Sequence, residues 1–204
     1  MGKVPGPPSW RKPGWGGLPG PPAWRKPSWG GVRPWPALFL LASSLAQAYL
    51  PLEAGRAWVY SDGTVQEVVG RKGEVAVLEY RKEAPLRRDR LLLKDGVWLL
   101  GVELPRGVFA YEPPLLLYPA RLEVGASWSS RGTFQGQKVA LSGRVEGVEG
   151  VEVPLGRFNA YRLRLAYTTE KGGASLLELY LVPGLGVVRY LSGGRAVDLV
   201  RRLP

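Results

Sequence analysis

From Tyr49 to Pro204, hydrophobic and polar residues alternate in short runs. In residues 138–145 and 161–167, valine, leucine and tyrosine take most of the alternate positions, and lysine, serine and arginine lie between them. A period of two is typical of an antiparallel strand with one buried face, and no window shows the 3.6-residue period of a helix. The runs predict eleven strands, near residues 57–61, 64–70, 74–81, 88–94, 97–104, 127–135, 138–148, 158–169, 175–182, 186–191 and 196–203.

Short polar turns separate these runs at regular intervals. Each contains a glycine, which supplies the positive φ that tight hairpin turns require. Many short strands joined by hairpins indicate an all-β fold, an antiparallel meander that forms a barrel or a strongly curved sheet. The turns are Asp62-Gly63, Lys72-Gly73, Asp95-Gly96, Gly136-Gln137, Lys171-Gly172-Gly173 and Ser192-Gly193-Gly194.

Two segments of the predicted β domain resemble each other. Residues 49–58 and 118–128 both contain an aromatic residue, a proline, a Leu-Glu-x-Gly element and then a tryptophan that enters a strand. The β domain, residues 49–204, is therefore predicted to consist of two related halves that meet near residues 112–118. Tryptophan at the start of a strand favours core packing over stacking against a ligand.

The N-terminal segment differs from the β domain in composition, because it is a repeat rich in proline and glycine. Residues 6–17 recur as residues 20–31, with Trp-Arg-Lys-Pro in both copies. Proline and glycine at this density prevent helices and ladders, so residues 1–31 are predicted to form a disordered extension. Two interpretations remain open. The repeat is either an arm whose tryptophans stack on nucleic-acid bases or a translated tandem DNA repeat upstream of the true start, and the second is favoured.

Residues 32–48 are typical of a secretory signal peptide. Arg33 provides the positive start, residues 37–45 form a short apolar run, and Ala46-Gln47-Ala48 is the small-x-small pattern of a cleavage site before Tyr49. The apolar run is shorter than the roughly 20 residues of a membrane helix. The alternative is a buried strand or helix turn of the domain. The signal peptide predicts a periplasmic or secreted protein.

Charge and composition narrow the possible chemistry. The chain has 28 bases and 17 acids; six bases and no acid precede Tyr49, so the rest carries a net charge of +5. That excess indicates nucleic acid only weakly. Cysteine and histidine are absent, which excludes disulfides, thiolate metal sites and a histidine base. The excess of arginine over lysine and the single Asn159 are consistent with a thermophile, and the alternative is a compositional bias from high genomic G+C.

No catalytic constellation emerges from the remaining residues. Acids that could flank a sugar bond show no pairing in the sequence, and no Ser-x-x-Lys occurs, so we predict a non-enzymatic protein without cofactor or metal. Four cations on polar strand faces are candidates for contact with an anionic polymer or lipid headgroups, the alternative being a solvated face. The acids are Glu79, Asp89, Glu112 and Glu178, and the cations are Lys138, Arg144, Arg162 and Arg164.

Three sequence segments resemble those of a family of uncharacterised exported β-rich bacterial proteins. Residues 52–60 resemble the start of these proteins, residues 151–163 their V-x-V-P-x-G-x-F-x-A-Y-R segment, and residues 182–189 their closing strand. The family is similar in outline to the periplasmic lipoprotein-carrier fold, a curved sheet that shelters acyl chains beneath lid helices, and it implies no catalytic residues.

The resemblance and the signal peptide together imply an exported bacterial envelope protein. We predict that it binds a lipid or other apolar ligand, or serves as an assembly accessory to a protein partner. The alternative function is binding of nucleic acid or another polyanion through the Trp-Arg-Lys repeats of residues 1–31, if that segment is translated.

Overall fold

Twelve β-strands make up almost all of the region that the structure describes. The structure, a computed structural model, describes residues 49–204, so the predicted repeat and the predicted signal peptide lie outside the described residues. The strands are β1 Ala57–Tyr60, β2 Val65–Lys72, β3 Val75–Arg81, β4 Pro85–Leu93, β5 Gly96–Leu104, β6 Gly107–Pro119, β7 Ser127–Phe134, β8 Gln137–Val153, β9 Gly156–Thr169, β10 Ala174–Val182, β11 Gly186–Ser192 and β12 Arg195–Leu203.

The strands form a closed antiparallel barrel in which each strand pairs with its neighbours in sequence. Strand β1 closes the barrel by pairing with β12, with Ala57 opposite Leu203 and Tyr60 opposite Leu199. The prediction of an all-β antiparallel barrel is confirmed. Because a meander reverses at every hairpin, the odd-to-even turns lie at one end of the barrel, here called the mouth, and the even-to-odd turns lie at the other.

The prediction of eleven strands was wrong by one, since it omitted β6. Residues 112–118, which were predicted as the junction of two halves, lie inside this strand. Proline cannot donate to a ladder, so Pro113 and Pro114 are unusual residues for the interior of a strand. The structure accommodates them because residues 111–114 have no partner on β5, whereas the residues on either side do pair with it.

The two similar segments, residues 49–58 and 118–128, adopt the same local geometry. The Gly55 amide donates to the Val68 carbonyl at 2.9 Å, and the Gly125 amide donates to the Val145 carbonyl at 2.9 Å. Both glycines have positive φ, 89° and 86°. The ladders also shift register directly after Val68 and after Val145. Each segment thus enters its strand through the same turn and faces a strand with a bulge at the same place.

The tryptophans that follow these turns differ in their surroundings. Trp58 is buried, and its indole N–H donates to the Leu185 carbonyl at 2.7 Å. Trp128 lies across Gly143, its partner in the β7–β8 register, and a Cβ on that glycine would be 2.2 Å from the indole ring. The Trp128 indole nitrogen is buried and is the one such side-chain polar atom in residues 49–204 without a hydrogen-bond partner.

The end of the barrel opposite the mouth is plugged by the segment before β1. Leu52 is buried there, and Leu50 and Tyr49 pack against the core. The Tyr49 hydroxyl accepts a hydrogen bond from the Leu122 amide at 3.1 Å, and its ring meets the Tyr161 ring edge-on at 6.3 Å. Tyr49 therefore contacts both the segment that precedes β7 and strand β9.

Candidate functional site

The interior of the barrel is mostly filled by its own side chains. Fully buried leucines and valines from both halves, among them Leu91, Leu115 and Leu163, form one continuous core. The remaining inner cavity has a volume of about 40 Å³ and is bounded by Leu52, Trp58 and Tyr118 among others. A space of this size holds one or two water molecules and is too small for an acyl chain.

A layer of polar aromatic side chains closes the core toward the mouth. The Tyr60 hydroxyl donates to the Val187 carbonyl at 2.9 Å, and the Gln66 amide donates to the Tyr190 hydroxyl at 3.1 Å. The rings of Tyr60 and Tyr190 lie 5.4 Å apart at 60°, and Tyr80 lies opposite Gln66 in the β2–β3 register. These four residues, Tyr60, Gln66, Tyr80 and Tyr190, are called the tyrosine layer below.

Above the tyrosine layer is an open pocket of about 240 Å³. The tyrosine layer forms its floor, and the same four residues also bound the inner cavity. Leu177 and Val197 supply apolar walls, and Asp62 and Thr64 lie at the rim. The pocket thus combines aromatic and aliphatic surface with a few hydroxyl and amide groups, which is the composition of a small-ligand site.

Burial fixes the protonation of the layer. It raises the pKa of Tyr60, Tyr80 and Tyr190 above the ordinary value of a phenol. The three hydroxyls therefore remain protonated and uncharged throughout the physiological pH range. A neutral floor of this kind suits an uncharged part of a ligand.

An ion pair joins the interior of the barrel to its surface beside the tyrosine layer, with a buried carboxylate and an arginine whose side chain is nearly half exposed. Asp89 is 3% exposed, and Arg87 holds it through two hydrogen bonds, one of them 2.8 Å from Nη2 to Oδ2. The Arg87 guanidinium also lies 5.5 Å from the centre of the Tyr80 ring. Burial raises the pKa of Asp89, and the bonds to Arg87 oppose that rise. The two residues follow the inward face of β4, in line with Leu91 and Leu93.

The four predicted cations lie on the outer surface, and three of them are in ion pairs. Lys138 Nζ is 3.4 Å from Glu170, Arg144 Nε is 3.7 Å from Glu146, and Arg162 is 3.1 Å from Glu149 and 2.9 Å from Glu178. Arg164 lies directly opposite Arg144 in the β8–β9 register. The structure brings Arg144 and Arg164 together, but the neighbouring carboxylates divide the predicted basic stripe.

The four predicted acids are dispersed around the barrel. Glu79 points outward and accepts from Arg88 at 2.7 Å, whereas Asp89 points inward. Glu178 is bound to Arg162 on the outer face of β10, and Glu112 is exposed on β6. Three of the four carboxylates are neutralised by an arginine, and the arrangement shows no pair that faces a common cleft.

Neither metal ligation nor a membrane helix is indicated in the described region. Residues 49–204 contain no group of three acidic side chains placed to hold a metal ion, and the chain has neither histidine nor cysteine. The same residues form no helix long and apolar enough to cross a membrane.

The tyrosine layer and the Arg87–Asp89 pair were not predicted from the sequence. One signal for the pair was present, because residues 87, 89, 91 and 93 share one face of a strand and the last two are leucines. Two charged residues on an apolar face must be paired with each other or with a buried partner. Tyr60 and Tyr190 carry no comparable signal, since they are 130 positions apart in sequence and meet only when β1 closes on β12.

The fold and the site define a closed twelve-stranded antiparallel barrel with a filled interior and an open pocket at its mouth. No protein-family model matches the chain, and no curated protein matches its sequence. Among solved structures, the chain is similar to the crystal structure of a "putative lipoprotein" from Parabacteroides distasonis, with 12% identity and a TM-score of 0.42 over 74% of this chain and 96% of that one. No functional conclusion follows from a similarity of this size.

Proposed function

We propose that this chain is an exported, non-enzymatic bacterial envelope protein that holds the apolar end of a small ligand or lipid in its mouth pocket. The observation that carries the proposal is the contrast between a packed interior and an open, aromatic-floored pocket of about 240 Å³. Typical sites for whole ligands measure roughly 300–1,000 Å³. The mouth pocket is therefore sized for a terminal group, and the rest of the ligand would project into solvent.

The polar atoms of the pocket support an uncharged terminal group. Its floor offers neutral hydroxyls and the Gln66 amide, and its walls are aliphatic. Two ion pairs lie nearby, and each is already matched: Asp62 at the rim is 3.2 Å from Lys82, and Asp89 is held by Arg87 through two hydrogen bonds. A charged group in the pocket would lose hydration without gaining a free counter-ion, which is costly. This composition favours an alkyl or aryl end over a carboxylate or an amine.

Blocking the pocket should abolish binding of an apolar probe. We expect the full chain to bind the neutral dye N-phenyl-1-naphthylamine, and Val197→Trp to reduce its affinity at least tenfold, because an indole on the pocket wall would occupy the space. Titration of dye fluorescence measures the effect. Val200→Trp is the matched control, since Val200 lies on the same strand and is exposed outside the pocket. Equal affinity in the two variants would contradict a binding site at the mouth.

Export is supported by the signal-like residues 32–48, which end directly before Tyr49. We expect the native protein to be recovered from the envelope or the medium with Tyr49 as its first residue. Intact-mass and N-terminal analysis of cell fractions measure this directly. A full-length chain that begins at Met1 in the cytosol would refute the export part of the proposal and make nucleic-acid binding by the Trp-Arg-Lys repeats the leading alternative.

A further inference from the structure

The tyrosine layer separates two spaces within the barrel. On its outer side is the mouth pocket of about 240 Å³, and on its inner side is the inner cavity of about 40 Å³. Tyr60, Gln66, Tyr80 and Tyr190 line both spaces, whereas every other lining residue belongs to only one of the two. The mouth pocket and the inner cavity are therefore separated by a single layer of side chains.

The side chains on the inner side of the layer are mainly apolar. Leu78, Leu91 and Leu117 line the inner cavity but not the mouth pocket, and Leu52 lies at the plugged end. A charged group would lose its hydration in such a space, whereas an alkyl group gains free energy in proportion to the apolar area that it buries. An apolar ligand end that passed the tyrosine layer would therefore bind more tightly than one that stopped at it.

Among the three tyrosines of the layer, Tyr190 is the one held least by the rest of the barrel. Tyr60 is 3% exposed and donates its hydroxyl hydrogen to a backbone carbonyl of β11. The Arg87 guanidinium lies over the ring of Tyr80. Tyr190 is half-buried, and its hydroxyl accepts a hydrogen bond from the Gln66 side chain at 3.1 Å. A bond between two side chains is lost when either changes rotamer, so it holds the Tyr190 ring less firmly than a bond to the backbone would.

The Tyr190 side chain crosses the floor of the mouth pocket. In the β11–β12 register, Tyr190 lies opposite Val197, which is part of the pocket wall. Its hydroxyl reaches Gln66 on β2, although β12 and β1 lie between β11 and β2 in the barrel. An apolar group that enters the mouth pocket along Val197 therefore stops at the Tyr190 ring.

We propose that the Tyr190 ring sets the maximum length of the alkyl group that the mouth pocket accepts. The inference rests on the proposed function of that pocket. It adds the class of ligand, a neutral molecule with a short alkyl end, and the residue that selects for it. An alkyl group is buried as far as the ring, and any further methylene groups stay in solvent. Without the ring, the mouth pocket and the inner cavity would form one continuous space.

A series of n-alkyl β-glucosides tests this length limit. Glucosides from butyl to decyl, used below their micelle concentrations, compete with N-phenyl-1-naphthylamine for the full chain, and each variant is analysed with its own dye affinity. For the parent chain, we expect the affinity to rise about fourfold with each buried methylene group and then to level off within the series. For Tyr190→Ala, the rise should continue for at least about two further methylene groups, because the space left by the ring joins the inner cavity.

Tyr180→Ala is the matched control for this substitution. Tyr180 is also a half-buried tyrosine, it lies on the neighbouring strand β10, and it lines neither the mouth pocket nor the inner cavity. Its variant should level off at the same chain length as the parent. Tyr190→Leu is a second test that does not depend on the folding of Tyr190→Ala. Leucine fills less of the layer than tyrosine does, so the length limit should move in the same direction.

The outcomes separate this inference from the proposed function. If the length limit is unchanged in the Tyr190 variants, or moves equally in Tyr180→Ala, the role of Tyr190 is overturned and the mouth pocket remains the binding site. If the parent chain binds neither the dye nor the glucosides, the proposed function is overturned, and the length limit with it.

Discussion

Arg87→Met is expected to destabilise the barrel by about 1–3 kcal/mol at neutral pH, because it leaves a buried acceptor without its partner, whereas the guanidinium that it removes is itself nearly half exposed. The substitution keeps most of the aliphatic stem of Arg87 and removes the guanidinium that holds Asp89 through two hydrogen bonds. Asp89 is 3% exposed, so its carboxylate would remain buried without a counter-ion. Urea-induced unfolding of the parent chain and the variant at one pH measures the difference.

The destabilisation should depend on pH in a defined direction. Burial raises the pKa of Asp89, and loss of Arg87 removes the interaction that opposes this rise. Between the unfolded pKa of about 4 and the raised folded pKa, the folded variant binds a proton that the unfolded chain has released. Its stability therefore falls as pH rises through that interval and is constant above it. Acidification toward pH 4 should shrink the deficit relative to the parent chain.

A double variant separates a buried charge from lost packing. Arg87→Met with Asp89→Leu removes both charges and leaves apolar side chains on the inward face of β4. Replacement of a buried pair by apolar residues is often neutral or stabilising, so we expect the double variant to be more stable than Arg87→Met alone. If the double variant is as unstable as Arg87→Met, the loss of stability comes from packing of the Arg87 stem. It then does not come from the buried carboxylate that has lost its counter-ion.

Local turn chemistry was the part of the fold that the sequence predicted best. Asp95-Gly96 forms the β4–β5 turn with φ of 50° and 129°, conformations that few other residue pairs adopt without strain. Alternation also placed Leu163 and Leu165 on the inner face of β9 and Arg162 and Arg164 on the outer face, as the structure has them. Both signals depend on residues within a few positions of each other.

The features that were missed depend on contacts between distant residues. Strand β6 was not among the predicted strands, and the missing donors of Pro113 and Pro114 are tolerated only where β6 leaves β5. Pairing of β1 with β12 brings together residues about 140 positions apart, and no local pattern specifies that register. The tyrosine layer depends on this closure. The sequence therefore predicts the strands of the barrel more readily than the site that its closure creates.

Strand β6 also forms the shortest ladder of the barrel. Its ladder with β7 has only two register pairs, Tyr111 with Phe134 and Glu112 with Thr133. Side chains supply part of what the ladder lacks, since the Leu116 amide donates to the Ser130 hydroxyl at 2.9 Å and the rings of Tyr111 and Phe134 stack at 4.8 Å. Beyond these contacts, closure requires that the two backbones approach closely.

Gly132→Ala should therefore weaken the pairing of β6 with β7, here called the β6–β7 seam. It should lower the free energy of unfolding by about 2–3 kcal/mol. A Cβ on Gly132 would be 2.4 Å from the Pro113 carbonyl oxygen, roughly 1 Å inside ordinary contact distance. The obstructing atom belongs to the backbone of β6, so no side-chain rotation relieves the contact. The strands must separate, which weakens the Glu112–Thr133 pair next to it. Urea-induced unfolding measures the loss, and hydrogen exchange of residues 111–116 and 130–134 should show faster local opening.

Gly150→Ala is the matched control for this substitution. Gly150 lies in β8, and a Cβ there would meet no atom within 4 Å. Alanine also reduces the conformational entropy of the unfolded chain, which stabilises by about 0.4–1 kcal/mol where the backbone is compatible. Gly150→Ala should thus be neutral or slightly stabilising. If Gly132→Ala were equally neutral, the β6–β7 seam would have room for a methyl group. The claim that barrel closure depends on close approach of these two backbones would then be wrong.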